Sequence, residues 1–418
     1  VSKEGRITLM AKKTLALLMT AVLTVSLFSG CAVSSTSSTE GTAQSTAETG
    51  DTAEETEDSA ASDTGASDTL LIGLSASVTG ASPACGLNAQ QGAELAVQEI
   101  NEAGGVLGKQ LELYVADDGW VQESAINATN LICSEDVVAQ IGPFPSSLVL
   151  AVENLVEQAG HPYLFGGTSP SLTETGNPWM FRVRASDSIM AELAATYAVE
   201  TLGCQKIGLF TNSNDFGVGG RTVAEEYLTE KGVEYVVEVH NTGDTDMTSQ
   251  ILSLISQDVD GVIVWTDDAE TALAARQFHD LGLDEPIVGS TAISTAQVNE
   301  LCQPEWLDNW YSATDFTVTN PAEMVQDFTA AYQEAYGAEP EIYAATYYSS
   351  VYILADAIER AGSEDPAAIR DALAETDGLE TVFGTMSVDD KGEMNWGGTI
   401  CQMVDGKPQF IEYVSIEH

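Results

Sequence analysis

From residue 69 onward, short near-continuous apolar runs alternate with longer stretches in which apolar residues recur every three or four positions. The run at 70–75 is followed by Ala93, Ala96, Val97 and Ile100 at helical spacing, in a stretch over 90–103 that stops at Gly104-Gly105. The same alternation predicts strand 111–116, helix 122–133, strand 137–141, helix 147–158 and strand 163–165. A second series gives strand 206–210, helix 219–231, strand 235–239 and helix 247–257, then strand 261–265, helix 269–281 and strand 286–288. Strands this apolar are covered on both faces, the mark of parallel sheets wrapped by helices. Two series of similar length predict an α/β fold of two doubly wound parallel-sheet lobes.

After Trp310 the rhythm changes. Helices over 322–336, 343–361 and 366–375 precede strand-like pieces at 382–388, 399–404 and 409–414. A chain that builds one lobe, then another, then returns to both crosses between them three times. Such crossings make a hinge, and the carboxyl ends of the strands face the cleft it spans, where open parallel sheets bind ligands.

The first 68 residues read differently. Lys12 and Lys13 precede an apolar stretch over 14–28, too short to span a bilayer comfortably, that ends in Leu27-Phe28-Ser29-Gly30-Cys31. The pattern is that of an export signal beginning at Met10, and its end resembles the lipobox of bacterial lipoproteins, with Phe28 at the usual Leu. Residues 1–31 are therefore expected to be leader and signal peptide, with Cys31 acylated. Residues 32–69 are almost all Ser, Thr, Ala, Gly and acids (Val33 and Gln44 apart), with nine carboxylates and no Lys, Arg or aromatic residue. Such a segment cannot offset its ordering entropy by burial and is expected to be a solvated tether with a span of roughly 35 Å.

Charge narrows the partners. Fifteen Lys and Arg stand against 64 Asp and Glu, for a net −49. No basic surface remains to neutralise phosphates, which excludes nucleic acid, and anionic lipid would repel the chain, so membrane attachment rests on the anchor at Cys31. Catalytic motifs are missing. The first strand leads into Gly73-Leu-Ser-Ala-Ser-Val-Thr-Gly80, which lacks dinucleotide spacing, and Phe216-Gly-Val-Gly-Gly220 reads as a turn into a helix. There is no phosphate-binding loop, nucleophile elbow or metal-ligand spacing among the four His and six Cys, so neither cofactor nor metal is expected.

Two hydroxyl-rich turns do stand out: Ile141-Gly-Pro-Phe-Pro-Ser-Ser147 and Phe165-Gly-Gly-Thr-Ser-Pro-Ser-Leu172. Ser and Gly at a helix start expose backbone N–H groups and the positive end of the dipole to a carboxylate. Plain capping explains one such turn; two on adjacent strands favour anion capture.

The stretch from Gln91-Gly-Ala-Glu-Leu-Ala-Val-Gln-Glu-Ile-Asn to Gly108-Lys109 resembles the first helix and turn of the leucine/isoleucine/valine-binding proteins of ABC importers. So do Asp117-Asp118, Ile141-Gly-Pro, Gly167-Thr-Ser-Pro-Ser-Leu-Thr173, Met180-Phe-Arg-Val-Arg184 and Gly243-Asp-Thr-Asp246, in order along the chain. The resemblance implies a type I periplasmic binding protein with a three-strand hinge, lobe one over 70–184 and 313–383 and lobe two over 185–312 and 384–418. It implies a non-enzymatic receptor for an amino acid, branched-chain or otherwise apolar, that serves membrane permease subunits. It places the ligand carboxylate on Ser147 with Ser146 beside it, and the ammonium and carboxylate on the Gly166 carbonyl and Thr168.

Elsewhere the pattern departs. Phe216 stands where the family has Tyr, Asp267 followed by Asp268 where a second Tyr ends a cleft strand, Thr291 where a Glu pairs the ammonium, and Cys85 where the first loop carries an aromatic. Asp267 or Asp268 could supply the missing anion, or both could be solvated at the rim. The family's disulfide positions fall on Trp120 and Pro145, leaving an odd set of thiols at 85, 133, 204, 302 and 401. Amides, urea and aromatic acids remain alternative ligands, and a ligand-sensing receptor module an alternative setting.

Overall fold

The computed structural model describes residues 69–80 and 82–415. The expected signal peptide, Cys31, nearly all of the tether and His418 lie outside the described residues. Among the described residues no helix is long and apolar enough to cross a membrane.

The first lobe is built from β1 (Thr69–Ala76), α1 (Pro83–Glu102), β2 (Gln110–Asp117), α2 (Gln122–Ile132), β3 (Val137–Ile141), α3 (Ser146–Ala159), β4 (Tyr163–Phe165) and β5 (Met180–Ala185). The second continues with α4 (Asp187–Thr196), β6 (Lys206–Asn212), α5 (Asp215–Lys231), β7 (Glu234–His240), α6 (Thr248–Ser256), β8 (Gly261–Trp265), α7 (Asp268–Leu281), β9 (Ile287–Gly289), α8 (Ala296–Leu301) and β10 (Trp310–Thr314). The chain then returns to the first lobe with α9 (Glu323–Tyr336), α10 (Ile342–Ala361), α11 (Pro366–Ala374), β11 (Leu379–Thr381), β12 (Gly384–Met386) and β13 (Glu393–Asn395). It ends in the second with β14 (Gly397–Val404) and β15 (Lys407–Ser415).

Two large sheets result, ordered β13-β5-β4-β3-β1-β2 and β15-β14-β10-β9-β8-β6-β7. The pairings of the first are all parallel, and the second is parallel except where β14 joins β10 and β15. In each, the winding direction reverses at one point, between β1 and β3 and between β6 and β8. These switch points are where doubly wound sheets open a crevice at their carboxyl ends.

Each lobe has its own apolar core. That of the first joins β1, α1 and α10 through Leu70, Ile72, Leu74, Ala93, Tyr347 and Leu354. Gly92 permits the close approach of α1 to α10: a Cβ there would lie 2.2 Å from the Ala344 carbonyl oxygen. The second lobe packs Ile207, Leu209, Ile263 and Trp265 against α4 and α5.

Several boundaries differ from the sequence reading. Helix α1 begins at Pro83, about two turns before the apolar spacing, because proline at N1 starts it and Cys85, Gly86, Asn88 and Ala89 are already buried. Helix α5 begins at Asp215, so the Phe216–Gly220 glycines lie inside its first turns, capped by Asn214 accepting from Gly217 N–H. Helix α4 is not among the expected helices: it is short, and its many small residues, with only Ser188 and Glu192 exposed, leave a weak apolar periodicity. The passage to the second lobe comes after Asn395 rather than at 384, since β12 packs Met386 into the first core and β13 pairs with β5. The expected crossing at 313 falls after Thr314, which still pairs within the second sheet. Thr69, assigned to the tether, opens β1.

Candidate functional site

The two switch points face one another across the cleft. From the first lobe, α3 starts at Ser146 directly after the Phe144-Pro145 turn, and Ser146 Oγ accepts from the Thr168 and Ser169 N–H groups at 3.1 and 3.2 Å. Both hydroxyl-rich turns are thereby tied together, with Ser146, Gly166 and Thr168 buried and Ser147 half-buried. The second turn is held from below by Arg182. Its guanidinium, 0% exposed, donates to the carbonyls of Gly167 (2.9 Å) and Ser169 (2.8 Å) and forms an ion pair with Glu393 at 3.0 Å.

At the crossing, Asp187 opens α4, and its N–H donates to the Thr168 carbonyl at 2.7 Å. The Asp187 carboxyl is 1% exposed and its Oδ2 has no hydrogen-bond partner among the described residues. Burial pushes this carboxyl up to about 7, against the pull of the Thr168 hydroxyl, the Arg182 and Arg184 guanidiniums and the Trp265 indole. No motif announced Asp187; its signal was only the start of a helix at a lobe crossing.

Arg184 closes the floor. It grips Asp315 with Nε and Nη2 at 2.8–3.2 Å, donates to Thr291 Oγ1 at 3.0 Å and lies over the Phe144 ring at 5.0 Å. One crossing segment is thus clamped to another.

The second lobe brings Trp265 and Phe216, with ring centroids 5.9 Å apart. Gly220 makes room for the indole, since a Cβ there would meet Trp265 Nε1 at 2.2 Å. Asp267 accepts from Asn212 Nδ2 (3.0 Å) and Asn214 Nδ2 (2.7 Å). Asp268 reaches across the cleft, accepting from Tyr343 Oη at 2.8 Å and from Cys85 Sγ at 3.5 Å. Burial raises Asp267 to about 7 and Asp268 to about 6. A second bridge between the lobes runs from Ala296 N–H to Glu341 Oε2, 2.7 Å.

This architecture of two switch points closed on one another matches a known group. The family model described as periplasmic binding protein matches residues 69–407. The chain belongs to that family. A Leu/Ile/Val-binding protein homolog of Brucella suis is 28% identical over 352 residues, covering 82% of this chain and 93% of its own length. A leucine-, isoleucine-, valine-, threonine-, and alanine-binding protein of Pseudomonas aeruginosa is 27% identical, covering 79% and 88%. Among solved structures, the branched-chain amino acid transporter substrate binding protein LivJ of Streptococcus pneumoniae, in complex with isoleucine, superimposes with a TM-score of 0.78. It is 29% identical and covers 83% of this chain and 100% of that one. The type I periplasmic binding protein fold expected from the resemblance is therefore present.

Against the binding-protein frame, Ser146, Ser147, Gly166 and Thr168 form one connected group, and Phe216 lies at the facing start of α5. Thr291 lies beside the Arg184 cation rather than in a place for an ammonium. Cys85 sits in the first turn of α1, not in a loop, and points its thiol at Asp268. Solvated rim positions for the two acids are excluded for Asp268, which is 5% exposed, while Asp267 is half-buried and bound by two amides. The cysteines at 85, 133, 204, 302 and 401 are all free. Among the described residues no cluster of His, Cys, Asp or Glu is arranged to hold a metal.

Proposed function

We propose that this protein is the extracytoplasmic solute receptor of an ABC importer and closes on an apolar α-amino acid, a branched-chain one first of all. The observation that carries this reading is the pairing of Thr168 with Asp187. An anion-receiving turn, fed by the start of α3 and by Ser147 and Thr168, lies next to the buried Asp187 carboxyl, whose Oδ2 lacks a well-formed hydrogen bond among the described residues and faces the Arg182 and Arg184 guanidiniums. A zwitterion satisfies both at once, since a buried anion needs a paired cation. In this reading Asp187, rather than Asp267 or Asp268, takes the ammonium together with the Gly166 carbonyl. The aromatic rings of Phe144, Trp120, Tyr343, Phe216 and Trp265 supply apolar walls from both lobes.

Binding stabilises the closed state because both lobes contribute contacts, and a membrane permease reads that state. No covalent step is involved. The lipid at Cys31 and the acidic tether hold the lobes outside the membrane despite the charge of the chain. Branched-chain specificity is supported by the names of the relatives in Brucella and Pseudomonas and by the isoleucine complex of the Streptococcus protein.

A thermal-shift panel of apolar amino acids, amides, urea and small aromatic carboxylates tests the reading. A ligand at about 100 times its Kd adds about 2.7 kcal/mol of stability. Stabilisation by leucine, isoleucine or valine is expected; stabilisation by urea or an aromatic acid with none by amino acids would overturn it.

A further inference from the structure

We infer that Trp120 is a specificity-determining wall of the ligand pocket, set in place by a strained backbone; the inference rests on the amino-acid reading above. Trp120 has φ +60, in the left-handed region that a bulky side chain rarely enters. Such a conformation persists only when its surroundings over-determine it, and outliers of this kind gather at ligand clamps.

The surroundings here are specific. The Trp120 N–H donates to Ser77 Oγ at 3.2 Å and to Asp118 Oδ1 at 3.1 Å. Asp118, 0% exposed, is itself held by the hydroxyls of Ser75 (2.9 Å) and Ser77. Gly80 locks the arrangement from the facing loop, since a Cβ there would stand 2.1 Å from the Gly119 carbonyl oxygen. Two loops at the carboxyl ends of β1 and β2 thus interlock to fix one residue.

What they fix is the direction of the indole. It meets the Tyr343 ring edge-on at 6.3 Å between centroids and lines a small pocket with Cys85, Gly86, Phe144 and Tyr343. Phe144 precedes Ser146 by two residues, so this pocket adjoins the anion-receiving end of α3. A ligand held there by its carboxylate directs its side chain at these rings. The indole, half-buried against the first-lobe core, fixes how large that side chain can be.

Titration calorimetry of wild type, Trp120→Ala and Trp120→Phe with isoleucine and with phenylalanine tests this, alongside the melting temperature of each. Wild type is expected to prefer isoleucine, and Trp120→Ala to shift the ratio of the two dissociation constants toward phenylalanine by about tenfold or more. Trp120→Phe should restore the wild-type order. If Trp120→Ala does not fold, Trp120→Leu reads the same ratio. A folded Trp120→Ala or Trp120→Leu protein with an unchanged ratio overturns the wall while leaving the amino-acid reading intact. A wild type that binds neither amino acid overturns that reading and this inference with it.

Discussion

Tyr343 of the first lobe donates to Asp268 of the second at 2.8 Å, and this hydrogen bond spans the cleft without involving any ligand. The Cys85 thiol reaches the same oxygen at 3.5 Å. Asp268 therefore stabilises the closed arrangement of the lobes. A hydrogen bond to a charged group is worth about 1.5–3 kcal/mol when removal leaves the acceptor buried. Tyr343→Phe should accordingly speed ligand release by about tenfold or more, measured by stopped-flow tryptophan fluorescence. An unchanged release rate would show that the bond does not hold the closed state.

The buried carboxyls give the protein a defined pH response. Asp187, Asp267 and Glu341 are pushed up to about 7 and Asp268 to about 6, with burial the largest cause in each. In the unfolded chain such groups lose their protons at roughly pH 4. Between about pH 4 and 7 these four groups bind fewer protons in the unfolded chain than in the folded one, so their contribution to stability falls as pH rises; His161 and His240, lowered by burial, act in the opposite sense but are outnumbered. Melting temperatures without ligand should decline from about pH 5 to about pH 7.5; a rise over that interval would contradict the assignment.

An ammonium beside Asp187 reverses the preference of that group, because it favours the carboxylate. Amino-acid binding below about pH 7 should then release protons, and affinity should increase from about pH 5.5 to about pH 8. Calorimetry in buffers of different ionisation enthalpy reads the release directly. Heats independent of buffer at about pH 6 would remove Asp187 from the ammonium site.

Cys85 is buried beside the interlobe bridge, whereas Cys133 and Cys302 are half-buried on single lobes. Alkylation followed by mass mapping should show Cys85 protected by saturating ligand, with the rates at Cys133 and Cys302 unaffected. Equal protection of all three would mean that the lobes do not open around Cys85.

Arg182 is the support beneath the Thr168 turn. Its removal strands Glu393 in the interior, and breaking a buried ion pair in this way costs about 3–5 kcal/mol. Arg182→Ala should lower the denaturation midpoint accordingly and weaken binding. Stability within about 0.5 kcal/mol of wild type would show that the turn stands without it.

The sequence carried the strand–helix alternation because each buried strand is near-continuously apolar and most helices show one apolar face. The two first-lobe turns proposed for the ligand were legible for a related reason: Ser146, Ser147, Gly166 and Thr168 lie in local stretches whose Gly, Pro and Ser content marks them as turns at strand ends. Asp187, Arg182, Trp120 and Tyr343 are not legible in the sequence because their roles depend on partners 13 to 211 residues away. Asp268 was visible as an acid but not as a bridge, since only closure brings Tyr343 and Cys85 to it. Net charge narrowed the partners but could not locate the site, because it describes solubility and association rather than local geometry.

The most direct test of the account is calorimetric titration with isoleucine, its deaminated analogue 3-methylpentanoic acid and its decarboxylated analogue 2-methylbutylamine. The paired anion-receiving and cation-receiving groups at Thr168 and Asp187 predict one-to-one binding of isoleucine and a loss of about 100-fold or more for either analogue. Binding of the acid or the amine as tightly as isoleucine would contradict it.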